Sequence, residues 1–200
     1  MTNDLATLVG SRICHDLISP IGAIGNGVEL MALSQGQDAT AEMALIADSV
    51  QSASARIRFF RVAFGAAPGG QRCARREVVK ILSDIALGGR ISYDWQPEQD
   101  ADRAEVRACF LLFLCFETAM IHGGDITVTR DGPEWTLTAL ADRFRFDDEL
   151  WDALSGPATA LSPSPAHVQF ALLPQVIADT GYRLSVTRGD DVLTATFGPA

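Results

Sequence analysis

The residues best suited to chemistry lie in one decapeptide, Ser11-Arg12-Ile13-Cys14-His15-Asp16-Leu17-Ile18-Ser19-Pro20. Of three histidines in the chain, only His15 has a carboxylate directly beside it and a cation one helical turn before it. An imidazole is a competent nucleophile near neutral pH, and it can carry a transferred group on one nitrogen while an acid orients the other. Asp16 is placed to orient the ring or accept its proton. Arg12 could offer its guanidinium to an anion held on that ring. Ser11, Ile18, Ser19, Gly22 and Asn26 share the helical face of His15. Most are small, so a partner protein could bring a helix or loop close to the imidazole. Pro20 removes the amide hydrogen that would bond the Asp16 carbonyl, at a nominal cost of about 3 kcal/mol. A kink is expected there.

The other chemistry-bearing residues carry weaker patterns. His122 precedes two glycines, where a cation complements a helix C-terminus. His167 has no ligand spacing around it. Cys14, Cys73, Cys109 and Cys115 form no C-x-x-C pair, so neither a zinc site nor a dithiol motif is supported. Each is expected to be a small buried residue in a reducing cytosol. Phe110, Phe113 and Phe116 are expected in the core.

Two helices must position the decapeptide. Apolar or small residues recur at 10, 14, 17, 21, 24, 28 and 31, alternating steps of four and three, which predicts a coiled-coil-like helix over residues 5–33. After a turn at residues 34–38, a second helix carries Met43, Ile46, Val50, Ala53, Ile57, Phe60 and Phe64 in the same rhythm. It ends at Gly65, before a Pro68-Gly69-Gly70 linker. Each helix is roughly 40 Å long at ~1.5 Å per residue. One hairpin cannot bury two continuous seams, but two hairpins can, so residues 1–66 are predicted to form a homodimeric four-helix bundle. The alternative is a hairpin packed on the rest of its own chain.

Residues 72–200 read as mixed elements. Helices are expected at 76–87, 102–122, 147–154 and 168–180, the last bent by Pro174. Strands are expected at 91–95, 125–130, 135–141, 182–188 and 192–197, the last pair joined as a hairpin. Residues 156–165 form a proline-containing loop. The fold class is therefore α+β: a helical hairpin followed by a two-layer α/β sandwich with a mostly antiparallel sheet.

The bulk composition narrows the function. The chain has 200 residues, 48% hydrophobic and 20% charged, with a net charge of −9. It has no basic stripe for nucleic acid. No apolar run reaches the ~18–20 uncharged residues of a membrane span, and the start lacks the basic and hydrophobic regions of a signal peptide. A cytoplasmic location is expected.

Cys14-His15-Asp16-Leu17-Ile18-Ser19-Pro20 resembles the phosphoacceptor motif of two-component sensor histidine kinases, His-(Glu/Asp)-Leu-x-x-Pro. The resemblance implies that His15 lies on the first helix of a dimeric bundle. The order of elements after residue 72 is similar to the ATP-binding domain of those kinases. The departures are informative. Asn3 and Asn26 are the only asparagines, so the kinases' magnesium-binding asparagine has no counterpart. Where Asp-x-Gly-x-Gly would line an adenine pocket, this chain has Asp142-Arg143-Phe144-Arg145-Phe146, without the close backbone approach that glycine permits. Asp142 is read as a vestige. The second glycine-rich cradle is reduced to Gly156 amid Pro157, Pro163 and Pro165.

A kinase-like scaffold that keeps the histidine and loses the nucleotide site resembles the ChpT-like histidine phosphotransferases, dimeric intermediates of phosphorelays. What this implies is a protein-histidine phosphotransferase that shuttles a phosphoryl group between receiver-domain aspartates through His15, without ATP and with no cofactor of its own. Magnesium is expected on the receiver. The partners implied are response-regulator receiver domains and an upstream hybrid histidine kinase, with Asp16 and Arg12 as helpers of His15. The rival readings are an ATP-dependent histidine kinase and a non-catalytic dimeric scaffold for response regulators.

Overall fold

A computed structural model describes residues 5–33, 40–154 and 162–199. The glycine and proline of the expected second cradle, Gly156 and Pro157, and the whole of the expected interhelical turn at 34–38 lie outside these residues. Helix α1 spans Leu5–Leu33 and α2 spans Thr40–Ala63, packed as a hairpin. Pro20 sits inside α1 without ending it.

The predicted seams divide in two. On α1, positions 17, 24 and 31 are half-buried, whereas Cys14, Ile21 and Val28 are exposed. On α2, Ala53 and Phe60 are buried and Ile46 is half-buried, whereas Met43, Val50 and Ile57 are exposed. The exposed set repeats every seven residues on both helices, the spacing of a coiled-coil seam. At the tightest point of the hairpin, Gly27 is buried, and a Cβ there would come within 2.6 Å of Ile46 Cγ1.

After α2 the chain turns at residues 68–71, where the Gln71 amide bonds the Pro68 carbonyl at 3.2 Å. Strand β1 (Arg72–Cys73) pairs antiparallel with β3 (Ala101–Asp102), and these flank α3 (Arg75–Ala86) and β2 (Ile91–Trp95). Two-residue strands carry no periodicity, so neither was foreseen. Helix α4 is Arg103–Ala119, with Asp102 capping it through the Ala104 amide at 2.9 Å. The helix was expected to reach His122. It stops earlier because Met120 leaves helical geometry, and the Gly123 and Gly124 amides bond the carbonyls of Met120 and Arg90, tying the turn to the start of β2. His122 is therefore an exposed turn residue beyond the helix, not its cap.

Strands β4 (Gly124–Asp131), β5 (Glu134–Leu140), β6 (Tyr182–Arg188) and β7 (Val192–Pro199) join β2 in a five-stranded sheet ordered β2-β4-β5-β7-β6. Only the β2–β4 pairing is parallel. Helix α5 (Asp148–Asp152) and α6 (Val168–Asp179) complete the fold, with a single 3₁₀ turn at Pro165–His167 leading into α6. Alternate residues of the strands point to one apolar face: Trp95, Ile126, Val128, Trp135, Leu137, Ala139, Leu193, Ala195 and Phe197 are buried. The opposite face carries rows of threonine set by the register, such as Thr127, Thr138, Thr194 and Thr187.

From Ala108 to Phe116 helix α4 is apolar all round, and every residue of that stretch is buried. The sheet lies on one flank, and α2 and α6 on the others. Phe110, Phe113 and Phe116 are fully buried, as the sequence suggests. The Phe59 ring of α2, also fully buried, sits 4.8 Å from Phe110. Leu8, Phe59, Phe60, Val62 and Ala63 of the hairpin belong to the same buried cluster as the sandwich. The base of the hairpin and the sandwich thus share one core across the linker at residues 68–70. Three cysteines, 73, 109 and 115, are buried in this core, where loss of solvation pushes the thiols of Cys109 and Cys115 well up. Cys14 departs from expectation by being exposed, because it belongs to the outward set of α1.

Candidate phosphotransfer site

The site is built on the middle of α1, where α6 and the 3₁₀ turn before it pack against the helix. Arg12 and Asp16 are one turn apart, and Arg12 Nε donates to Asp16 Oδ2 at 2.9 Å. Both side chains are largely covered, at 13% and 14% exposure. The other carboxylate oxygen of Asp16, Oδ1, lies 3.0 Å from His15 Nδ1. A carboxylate can only accept, so Nδ1 carries the proton in this contact. The His15 side chain is 85% exposed, so Nε2 is left with a free lone pair facing solvent.

The structure gives Arg12 a task other than the one its sequence position suggests. One of its terminal N–H groups donates to the main-chain carbonyl of Ala166, in the 3₁₀ turn before α6. With Nε on Asp16 and Nη1 on Ala166, the guanidinium braces the acid from behind and is not extended beside the ring. No sequence signal links positions 12 and 166, which are 154 residues apart. Pro20 contributes locally: it has no N–H for the Asp16 carbonyl, so that carbonyl lacks its usual helical donor.

Ser11, Ile18, Ser19, Gly22 and Asn26 are all exposed on the face that His15 occupies, as expected. Ile18 is 70% exposed. A Cβ added at Gly10, Gly22 or Gly25 would meet nothing within 4 Å, so this stretch of α1 is shallow and accessible. His167 closes the 3₁₀ turn and has Nδ1 3.3 Å from Ser164 Oγ.

Around residues 142–146, where the resemblance implies a lost adenine-binding glycine motif, aromatic side chains pack together. Phe144 is buried and stacks on Phe146 with centroids 5.7 Å apart. Trp151 meets Phe146 edge-on at 5.3 Å and Phe170 at 5.4 Å. The Arg145 amide bonds the Ala119 carbonyl at 3.0 Å. These aromatic rings join α5 to α6 and form part of the core. Asp142 is exposed at the end of β5, in a shallow cleft with His122, Asp125 and Asp191. Among the described residues, no group of three or more His, Cys, Asp or Glu side chains is arranged to hold a metal ion. No helix among them is long and apolar enough to cross a membrane.

An exposed, acid-oriented histidine on a hairpin helix, fused to an α/β sandwich, is a site suited to phosphotransfer. The chain belongs to the histidine phosphotransferase family, since residues 75–192 match its description, "Histidine phosphotransferase C-terminal domain". It is 31% identical over 201 aligned residues to "Protein phosphotransferase ChpT" of Brucella abortus (strain 2308), covering 96% of this chain and 95% of that one. A solved structure described as "1.7 Angstrom Structure of a Bacterial Phosphotransferase" superposes with a TM-score of 0.80 at 27% identity, covering 97% of this chain and 95% of the other.

Proposed function

We propose that this histidine phosphotransferase accepts a phosphoryl group on His15 from the phospho-aspartate of one receiver domain and returns it to the aspartate of another. The observation that carries this reading is the imidazole itself: 85% exposed, with Nδ1 on Asp16 and Nε2 open to a partner. The Nε2 lone pair attacks phosphorus. The P–O bond to the donor aspartate breaks, and its carboxylate departs with the electron pair. Nδ1 keeps its proton, and Asp16 balances the imidazolium charge that forms. Reversal of the same step hands phosphate on. The receiver, with its magnesium, supplies the in-line geometry and most of the charge stabilisation. This chain therefore uses neither ATP nor a cofactor of its own, in keeping with the aromatic packing at residues 144–151.

The partners are receiver domains of response regulators, with a hybrid histidine kinase upstream, in the cytoplasm. They dock on Ser11, Ile18, Ser19, Gly22 and Asn26 around the ring. The chain acts as a homodimer. Its support is the exposed seven-residue repeat, Cys14, Ile21 and Val28 on α1 with Met43, Val50 and Ile57 on α2, which a second hairpin of the same sequence would cover.

The test is transfer from a ³²P-labelled receiver domain. Wild-type protein is expected to take up label that is acid-labile and alkali-stable, and His15→Ala to take up none. Label on His15→Ala would overturn the assignment, and labelling by ATP and magnesium alone would favour a kinase.

A further inference from the structure

We infer that Arg12, anchored on the Ala166 carbonyl, is a positioning residue that decides which nitrogen of His15 can attack. The inference rests on the phosphotransfer reading above and adds the origin of the tautomer. Arg12 has donors only, so whatever atom of residue 16 faces it must be an acceptor. In the wild-type site this is Asp16 Oδ2, at 2.9 Å from Arg12 Nε. The remaining oxygen, Oδ1, then meets His15 Nδ1 at 3.0 Å and holds the ring proton there. The attacking lone pair is left on Nε2. Arg12 is itself fixed by the carbonyl of Ala166, which belongs to the turn leading into α6. The sandwich thus reaches the histidine through one main-chain oxygen, one guanidinium and one carboxylate. His15 is 85% exposed and has no other hydrogen bond among the described residues.

This polarity makes a prediction that simple packing does not. In Asp16→Asn, the single remaining oxygen is claimed by Arg12. The amide NH₂ then turns to Nδ1, which must accept, and the ring proton moves to Nε2. The attacking nitrogen is blocked. Transfer should fall on the order of 100-fold, less than for a fully buried acid in the same predicament. In the double variant Arg12→Ala with Asp16→Asn, nothing dictates the amide orientation. The side chain can flip, its oxygen can take the Nδ1 proton, and Nε2 is freed. The double variant should therefore be faster than Asp16→Asn alone, by about tenfold, although it carries one more lesion. Two defects that merely add would make it slower.

The experiment measures single-turnover transfer from a phosphorylated receiver domain to full-length protein, for wild type, Arg12→Ala, Asp16→Asn and the double variant. Long-range ¹H–¹⁵N spectra of the His15 ring report its tautomer in each. The expected result is the Nε2–H tautomer and slow transfer for Asp16→Asn, with both reverting toward wild type in the double variant. A double variant as slow as Asp16→Asn, or an unchanged tautomer in Asp16→Asn, would overturn the inference. His15→Ala in the same assay separates the two levels: label on it sinks the phosphotransfer reading, whereas its silence with no recovery in the double variant sinks only the role of Arg12.

Discussion

Gly22 lies two turns after His15 with nothing within 4 Å of where a Cβ would stand. A side chain there meets no part of its own chain, and glycine costs a helix interior about 1 kcal/mol relative to alanine. Gly22→Leu is thus expected to leave the thermal melt unchanged or slightly higher, while raising the KM for a receiver domain about tenfold in the transfer assay. An unchanged KM would move the docking face away from this line of α1. The separation of stability from activity is useful because a damaged fold would lower both. At this scale the sequence was most legible for His15, Asp16 and the small face, since all lie within a few turns of one helix. It was least legible for Arg12. Its position one turn before the ring suggested a hand on the phosphoryl group, but its second partner is a main-chain carbonyl, which has no residue signature.

The hairpin depends on close approach at Gly27, where a Cβ would stand 2.6 Å from Ile46 Cγ1 and 3.6 Å from the Glu42 carbonyl. Gly27→Leu must push the two helices apart or force Ile46 from its rotamer, and overpacking of this kind costs typically 1–3 kcal/mol. Urea denaturation should register a loss in that range, with part of it recovered by Ile46→Ala in the same chain. Failure of the second substitution to recover anything would place the strain elsewhere. Elements with long apolar rhythm, α1, α2, α6 and the β6–β7 hairpin, were readable from spacing alone. The end of α4 was not, because its apolar run continues past Ala119 while the geometry is set by a turn that bonds to the Arg90 carbonyl. Nor were β1 and β3, whose pairing depends on residues some thirty positions apart.

At the scale of the molecule, the sequence seams correctly named the apolar positions but not how they divide between the chain and its surroundings. Cys14, Ile21 and Val28 face outward together with Met43, Val50 and Ile57. If a second copy covers them, wild-type protein sediments as a dimer, and Ile21→Glu, which would bury a charge in that seam, sediments as a monomer at the same concentration. A wild-type monomer would overturn the homodimer. Across the linker at 68–70, Phe59 packs 4.8 Å from Phe110 and both are fully buried, so the hairpin base cannot leave the sandwich without opening the core. Burying two such rings is worth several kcal/mol. In this structure the histidine is consequently mounted on a helix of the hairpin whose base is built into the sandwich core. On the proposed reading the protein works as a conduit without a valve: like any catalyst it lowers the barrier equally in both directions, and net transfer would follow the relative phosphorylation and abundance of its partners.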